Sequence, residues 1–276
     1  MLTTHKPIPF VIALEGYNLC YILLLFINRA NRHTLKRLLL LSMLILSIMM
    51  FGVCLLQIQP TSIVGKSLIL IGLLFKLGVF PFHTWVLEVY ENVSFRIIAI
   101  TDSIMKPMLA IIFVKILPNI NTELLPILHA LGYLSLIFGS ILALHEHNIK
   151  RWIGSLSIGH IGIIMCVAST TSVLPSNATM ATLLYIIAYS SCTVVFCISK
   201  NNILKVITLC GMVGLPPFYT FFAKINLITE LLNSTDMYAL LAIMLYFVVE
   251  LTSIIRWLIH YFYKFILKSD GSVIVS

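Results

Sequence analysis

Charge is what this sequence has least of: 10% of its 276 residues are Asp, Glu, Lys or Arg, against roughly 25% in a soluble domain. So few charges cannot cover a water-facing surface, which excludes an ordinary soluble fold. Acid is scarcer still, with ten Asp and Glu against eighteen Lys and Arg. The resulting charge of +8 does not describe a nucleic-acid groove, because the basic residues are scattered and are not interleaved with aromatics on one surface. Metal and nucleotide patterns are missing as well. Cys20, Cys54, Cys166, Cys192, Cys197 and Cys210 all fall in apolar stretches, with no CxxC or Cys/His spacing. They are read as inert packing residues, and neither a metal cluster nor a disulfide framework is expected. No nucleotide fingerprint, flavin motif or cluster-ligand set occurs, so any redox chemistry belongs to partner chains. The opening MLTTHKPIPF has neither the basic, serine-rich character of a transit peptide nor a cleavable signal, so insertion where the chain is made is expected.

What the sequence does have is apolar length. Hydrophobic residues make up 60% of it, in runs near the roughly 20 residues that cross a bilayer core about 30 Å thick. Runs between polar joints predict spans near 7–28, 35–58, 63–80, 96–117, 124–144, 150–170, 178–199, 203–232 and 237–262. The fold class is therefore an all-α integral membrane protein of about nine transmembrane helices, in one domain over 1–276. Basic residues test the count, since the positive excess marks cytoplasm-type loops. Arg29, Arg32, Lys36, Arg37, Arg96, Lys150, Arg151, Lys200, Lys205, Lys264 and Lys268 fall on one side, eleven in all, and Lys6, Lys66 and Lys115, three, on the other. That tally puts the C-terminus on the cytoplasm-equivalent side. A repeat agrees with it: GVFPFHTW at 78–85 aligns with GLPPFYTF at 214–221 at glycine, proline, phenylalanine and threonine. Both copies interrupt an apolar span, the third and the eighth, which run antiparallel. Paired broken helices of opposite direction point to an inverted-repeat transporter with unwound backbone along a polar pathway.

Four cations lie inside spans: Lys76, Lys106, Lys224 and Arg256. Snorkelling to headgroups accounts for Lys66 and Lys115 near span ends. It fails for Lys106, which has about ten residues on either side and so sits roughly 15 Å from each interface. A central lysine costs roughly 2.5–3.5 kcal/mol on insertion scales, so partners, water or neutralisation must compensate it. Removal from water disfavours the ammonium, which suits such lysines to proton exchange. Lys76 precedes the first break and Lys224 follows the second. Glu15, about eight residues into the first span, is the natural partner of one lysine, or else polar glue between helices. Asp102 and Lys106, four apart, share a helix face and can form a structural ion pair that fixes the lysine charged. Glu250 and Arg256 lie six apart on one helix, and a structural role is read for Arg256. His160, one turn after Ser157, can carry protons or orient water, and a satisfied core histidine fits the same position. Ser155, Gly159 and Gly162 form a small-residue face for close helix packing.

Those residues carry a resemblance. KLGVFPFHTWVLEVYE around Lys76 resembles the lysine-bearing broken helix of the NADH dehydrogenase subunit 2 family of respiratory complex I, an antiporter-like family. ALEGYN at 13–18, MKP at 105–107, KRWIGSLSIGHIG at 150–162 and GLPPFYTFFAK at 214–224 fall in that family's order. The resemblance implies antiporter-like inverted repeats, a first over about 7–117 lacking its opening helix and a second over about 124–262. It also implies a truncated C-terminal end, with lipids or other chains in place of the missing helices. By position, Glu15 and Lys76 would be the acid and lysine of one half, Lys106 the central lysine, and Lys224 the lysine of the second break. His160 falls in a matching stretch without a role carried over. The implied function is proton translocation beside other membrane-arm subunits and membrane lipid, with NADH, FMN, iron–sulfur clusters and ubiquinone on other subunits. The implied place is the mitochondrial inner membrane, N-terminus in the intermembrane space and C-terminus in the matrix. A cation/proton antiporter subunit and a non-pumping scaffold share the fold, which by itself does not separate them. Retention of Glu15, Lys76, Lys106 and Lys224 argues against the scaffold. Copurification with an NADH-oxidising, iron–sulfur assembly separates the first two.

Overall fold

Backbone polar groups in lipid must be satisfied within the segment, so apolar runs of this length become helices. The computed structural model describes residues 7–28, 31–59, 61–117, 122–170, 177–233 and 236–269, excluding the side chains of 7, 170, 177–178 and 264–269. Lys6 and Arg29 lie outside the described residues, as do the side chains of Lys264 and Lys268. The order is α1 (Pro7–Ile27), α2 (Arg32–Ile58), α3 (Ile63–Leu77), α4 (Thr84–Asn92), α5 (Phe95–Ile100) and α6 (Lys106–Ile116). Then follow α7 (Leu125–His145), α8 (Ile149–Thr170), α9 (Asn177–Ile198), α10 (Asn202–Val213), α11 (Tyr219–Asn233) and α12 (Met237–Ser269). A π-helical turn, Thr101–Met105, joins α5 to α6, and among the described residues there is no strand. Polar side chains start the helices where the sequence offers them. Asn31 accepts from the His33 N–H at 3.2 Å to cap α2, and Ser62 accepts from the Gly65 N–H at 3.0 Å to cap α3.

Seven segments, with α5, the π turn and α6 counted as one, are long and apolar enough to cross a membrane. Two broken pairs, α3–α4 and α10–α11, lie where the other two of the nine expected crossings fall. Both breaks begin at a glycine in the left-handed region, Gly78 at φ 75° and Gly214 at φ 80°, where a side chain would be strained. Their N–H groups close the preceding helix on the carbonyls of Leu74 and Cys210. Pro81 and the pair Pro216–Pro217 then supply no N–H to continue it. The third crossing was expected to end at 80, but it resumes as α4 and reaches Asn92. Its acidic end is accommodated because Glu88 pairs with Arg37 and Glu91 with Arg151 at 3.3 Å.

Helix α8 runs through the middle, buried without exception from Trp152 to Ser169. Its expected small-residue face meets a matching one on α7: a Cβ added at Gly139 would stand 2.7 Å from the Gly159 nitrogen, and one at Gly162 would stand 2.9 Å from the Gly132 carbonyl oxygen. Cys20 and Cys54 correct the packing expectation for cysteines, since both are exposed on the outer surface of the bundle.

The buried apolar side chains form two clusters stacked along the helices. One contains Leu14, Met49, Leu73, Phe113, Met165, Leu227 and Ile243. The other contains Tyr21, Val86, Ile98, Trp152, Leu209 and Ile254. Along α1, α8 and α12 alike, the chain passes from one cluster to the other, and the buried polar residues fall at the changeover. Glu15 follows Leu14, Ser157 and His160 lie between Leu156 and Ile161, and Glu250 lies between Tyr246 and Ile254. The core is thus two apolar slabs with a polar layer between them.

Candidate functional site

Three groups of buried ionisable side chains make up that layer. In the first, α1 and α3 bring Glu15 and Lys76 together, with Nζ 2.9 Å from Oε2 and each residue 7% exposed. Lys76 also donates to the Leu14 carbonyl at 3.2 Å, and Asn18 donates to the other Glu15 oxygen at 3.3 Å. Lys76 stands in the last turn of α3, next to the break at Gly78. Beside it the Trp85 indole N–H donates to Phe75 O at 3.0 Å, a carbonyl that also accepts from the Gly78 N–H at 3.0 Å.

The second group is built on the π-helical turn. Its extra residue places Asp102 at the start and Lys106 just past the end, with Nζ 3.8 Å from Oδ1. The expected ion pair therefore forms, but loosely. Lys106 donates a closer bond to Ser157 on α8, and its ammonium lies 4.5 Å from the centroid of the Tyr90 ring. The Tyr90 hydroxyl in turn donates to Asp102 Oδ1. Lys106 is thus held by α4, α8 and its own turn at once. Single π turns of this kind are often found at functional sites.

The third group lies across α8, α11 and α12. Lys224 Nζ is 2.8 Å from Glu250 Oε2, and it also donates to Val213 O at 3.0 Å and Met212 O at 3.3 Å, the carbonyls left open at the end of α10. The other oxygen, Glu250 Oε1, faces His160 Nε2 at 3.3 Å, an ion-pair separation without hydrogen-bond alignment. His160 Nδ1 meets the Tyr185 hydroxyl, and the Tyr189 ring lies 3.6 Å from the imidazole centroid. Tyr246 closes the site by donating to Leu156 O at 3.2 Å. His160 therefore has polar neighbours on both ring nitrogens.

Glu250 is the member that the sequence reading passed over, by setting it beside Arg256. Six residues place two side chains roughly 120° apart around a helix and about 9 Å apart along it, so they do not meet. Arg256 instead donates to the carbonyls of Leu144 at 2.6 Å, Ala143 at 3.2 Å and Glu146 at 2.6 Å, which closes the end of α7. The signal available was depth. Glu250 is 1% exposed near the middle of the last apolar run, the same position that singled out Lys106.

Two cavities lie beside these groups, reaching Lys76 and Lys106 in one and Lys106 and His160 in the other. One, with about 50 Å³ of room for water, is lined by Tyr17, Asn18, Tyr21, Lys76, Thr101 and Lys106 among others. The second, about 30 Å³, is lined by Asp102, Lys106, Ser157, His160, Tyr185 and Tyr189 among others. At roughly 10–15 Å³ per water centre, there is room for about three to five waters in the first and two to three in the second. Lys106 lines both. Among the described residues no three His, Cys, Asp or Glu side chains converge as a metal site requires.

Comparisons with known proteins accord with this architecture. The family model described as "NADH:quinone oxidoreductase/Mrp antiporter, TM" matches residues 39–206. A curated relative, NADH-quinone oxidoreductase subunit N 2 of Opitutus terrae, is 30% identical over 200 residues, 62% of this chain and 41% of that protein. The chain therefore spans about two-fifths of that relative. A chain of respiratory complex I from Thermus thermophilus superposes with a TM-score of 0.76 at 20% identity, covering 91% of this chain and 65% of that one. A chain of the Mrp complex from Dietzia gives a TM-score of 0.69 at 16% identity, covering 83% and 51%. These relatives are bacterial, so the mitochondrial placement rests on the sequence resemblance alone. The fold they share with this chain is the antiporter-like one.

Proposed function

Because this chain belongs to the NADH:quinone oxidoreductase/Mrp antiporter membrane family, we propose that it translocates protons as a membrane-arm subunit of a respiratory complex I. The observation that carries the reading is the polar layer, in which Lys106 lines both cavities and so stands between Glu15–Lys76 and His160–Glu250–Lys224. In this reading a proton moves at that level through water and side chains, from the Lys76 cavity past Lys106 to His160, with apolar side chains above and below it. NADH, FMN, iron–sulfur clusters and ubiquinone act on partner subunits in this reading. The stretches 7–117 and 124–262 are its two repeats. A superposition of the halves that failed to bring Gly78 near Gly214 would remove that division.

The test is proton-to-electron stoichiometry in vesicles containing the assembled complex. Lys106→Met lowers it several-fold, water and Ser157 bridging part of the gap. Lys115→Met, at the exposed end of α6, leaves it unchanged. An assembled Lys106→Met complex pumping at the normal ratio would return the chain to the scaffold reading.

The proposed orientation follows the charge tally, with the C-terminus on the cytoplasm-equivalent side, which is the matrix in a mitochondrion. Contacts of Arg37 with Glu88, Arg151 with Glu91 and Lys205 with Tyr261 gather that basic set at one end of the bundle. Tags on the two termini are expected to show opposite protease protection in sealed membranes, and equal protection would refute nine crossings.

A further inference from the structure

We propose that Asp102 is itself a proton carrier, which takes a proton from Lys106 and hands it across the second cavity to His160. This deepens the translocation reading above and rests on it. A carboxylate whose task is to hold a lysine charged makes short contact with it, as Glu15 does with Lys76 at 2.9 Å and Glu250 with Lys224 at 2.8 Å. Asp102 stands off from Lys106 at 3.8 Å, beyond hydrogen-bond reach, while Lys106 gives its short bond to Ser157. Asp102 is 3% exposed and Lys106 7%, so both groups have left bulk water, and the wide gap returns little for it. The pair is a poor lock.

The two carboxylate oxygens differ in what they touch. Oδ1 accepts from the Tyr90 hydroxyl. Oδ2 is buried and has no hydrogen-bond partner among the described residues. Buried polar atoms of that kind are the exception in folded proteins, and one belonging to a residue that lines a cavity with room for water is suited to exchange with it. Lys106 lines the same cavity, so water there can bridge the separation that the two side chains leave. Tyr90 donates to Oδ1 whether the acid is charged or neutral, which leaves Oδ2 as the oxygen that gains and loses the proton.

The step conserves atoms and charge. One N–H bond of the Lys106 ammonium breaks, its electron pair stays on nitrogen, and the proton passes through water to Oδ2. Ammonium and carboxylate become amine and carboxylic acid, so two buried charges vanish together. The acid then gives its proton through the cavity to the imidazole of His160, which lines it too, and returns to carboxylate. An imidazolium formed there faces Glu250 Oε1 at 3.3 Å as its counter-charge. The Lys106 amine is then free to take the next proton from the cavity it shares with Lys76.

The experiment is infrared difference spectroscopy of the assembled complex in vesicles, triggered by NADH, alongside proton-to-electron stoichiometry. A carboxyl that gains a proton during turnover shows a deuterium-sensitive C=O stretch, and bands from other acids cancel between wild type and variant. Asp102→Asn is expected to lose one such band and to lower the stoichiometry several-fold. Asp102→Glu keeps pumping and shifts the band. Should the asparagine variant fail to assemble, the comparison of wild type with Asp102→Glu decides alone. Spectra identical in wild type and Asp102→Glu overturn the proposal, and so does an assembled Asp102→Asn complex pumping at the normal ratio, since a structural pair affects stability only. If Lys106→Met is impaired, those results remove the Asp102 step and leave the translocation reading standing. A normal ratio in Lys106→Met removes both.

Discussion

Replacing Glu250 with Gln is expected to destabilise the folded chain by about 3–5 kcal/mol, the usual cost of removing one partner from a buried ion pair. Both partners are well inside, Glu250 at 1% and Lys224 at 8% exposure, so solvent does little to reduce the loss. Without the carboxylate the Lys224 ammonium keeps only the carbonyls of Met212 and Val213 and the face of Phe247, 4.3 Å from the ring centroid. These are dipoles and a quadrupole, not a counter-charge. Lys224→Met should cost less, because Glu250 would still have His160 at 3.3 Å as a partner able to carry charge. The double variant Glu250→Gln with Lys224→Met removes both charges and is expected to recover most of the stability. Thermal unfolding of the purified complex, followed with an antibody or label specific to this chain, measures the series. Equal stability of Glu250→Gln and wild type would mean that the pair at 2.8 Å contributes nothing to the fold.

Most of the architecture could be read from residue order, and the reasons are physical. Each membrane crossing is a local event, since a run of apolar residues must hydrogen-bond to itself. Breaks were visible too, because glycine and proline impose their conformations wherever they occur, as Gly78 and Gly214 do. Lys76 and Lys106 stood out because a cation in the middle of an apolar run is costly, whatever surrounds it. Less legible was whatever depends on neighbours brought together across the bundle. Ser157 was read as a companion of His160, yet its hydroxyl meets Lys106 from another helix. Tyr90 shows no mark in the sequence, because it lies between Glu88 and Glu91 outside the predicted spans and nothing there shows that it touches Asp102 and Lys106. The third crossing was ended at 80, whereas the chain runs on to Asn92 and its Glu88 and Glu91 are held by Arg37 and Arg151, 51 and 60 residues away.

Lys76 is the position at which the relay and a plain structural pair part most clearly. In the structure its ammonium is 2.9 Å from Glu15, a contact that favours keeping the proton. Two unit charges about 4 Å apart interact by about 4 kcal/mol at an effective dielectric of 20, so withdrawing the carboxylate changes the affinity of the site for a proton by roughly a thousandfold. That swing is large enough to send the proton into the cavity that Lys76 shares with Lys106. Lys76→Arg retains a cation for Glu15 and is expected to assemble, but its guanidinium does not release a proton, so translocation is lost. Lys76→Met leaves Glu15 with Asn18 alone and confounds stability with function. The double variant Glu15→Gln with Lys76→Met removes that confusion, because deleting a whole buried pair is often neutral for stability. It is expected to assemble at normal levels while coupled proton uptake drops by at least about tenfold, NADH oxidation falling with it where coupling is tight. A structural pair would give the opposite result, with assembly as the only casualty of Lys76→Met and normal pumping in both the arginine and the double variant. Normal stoichiometry in those two would end the relay assignment for Lys76, whatever the outcome at Lys106.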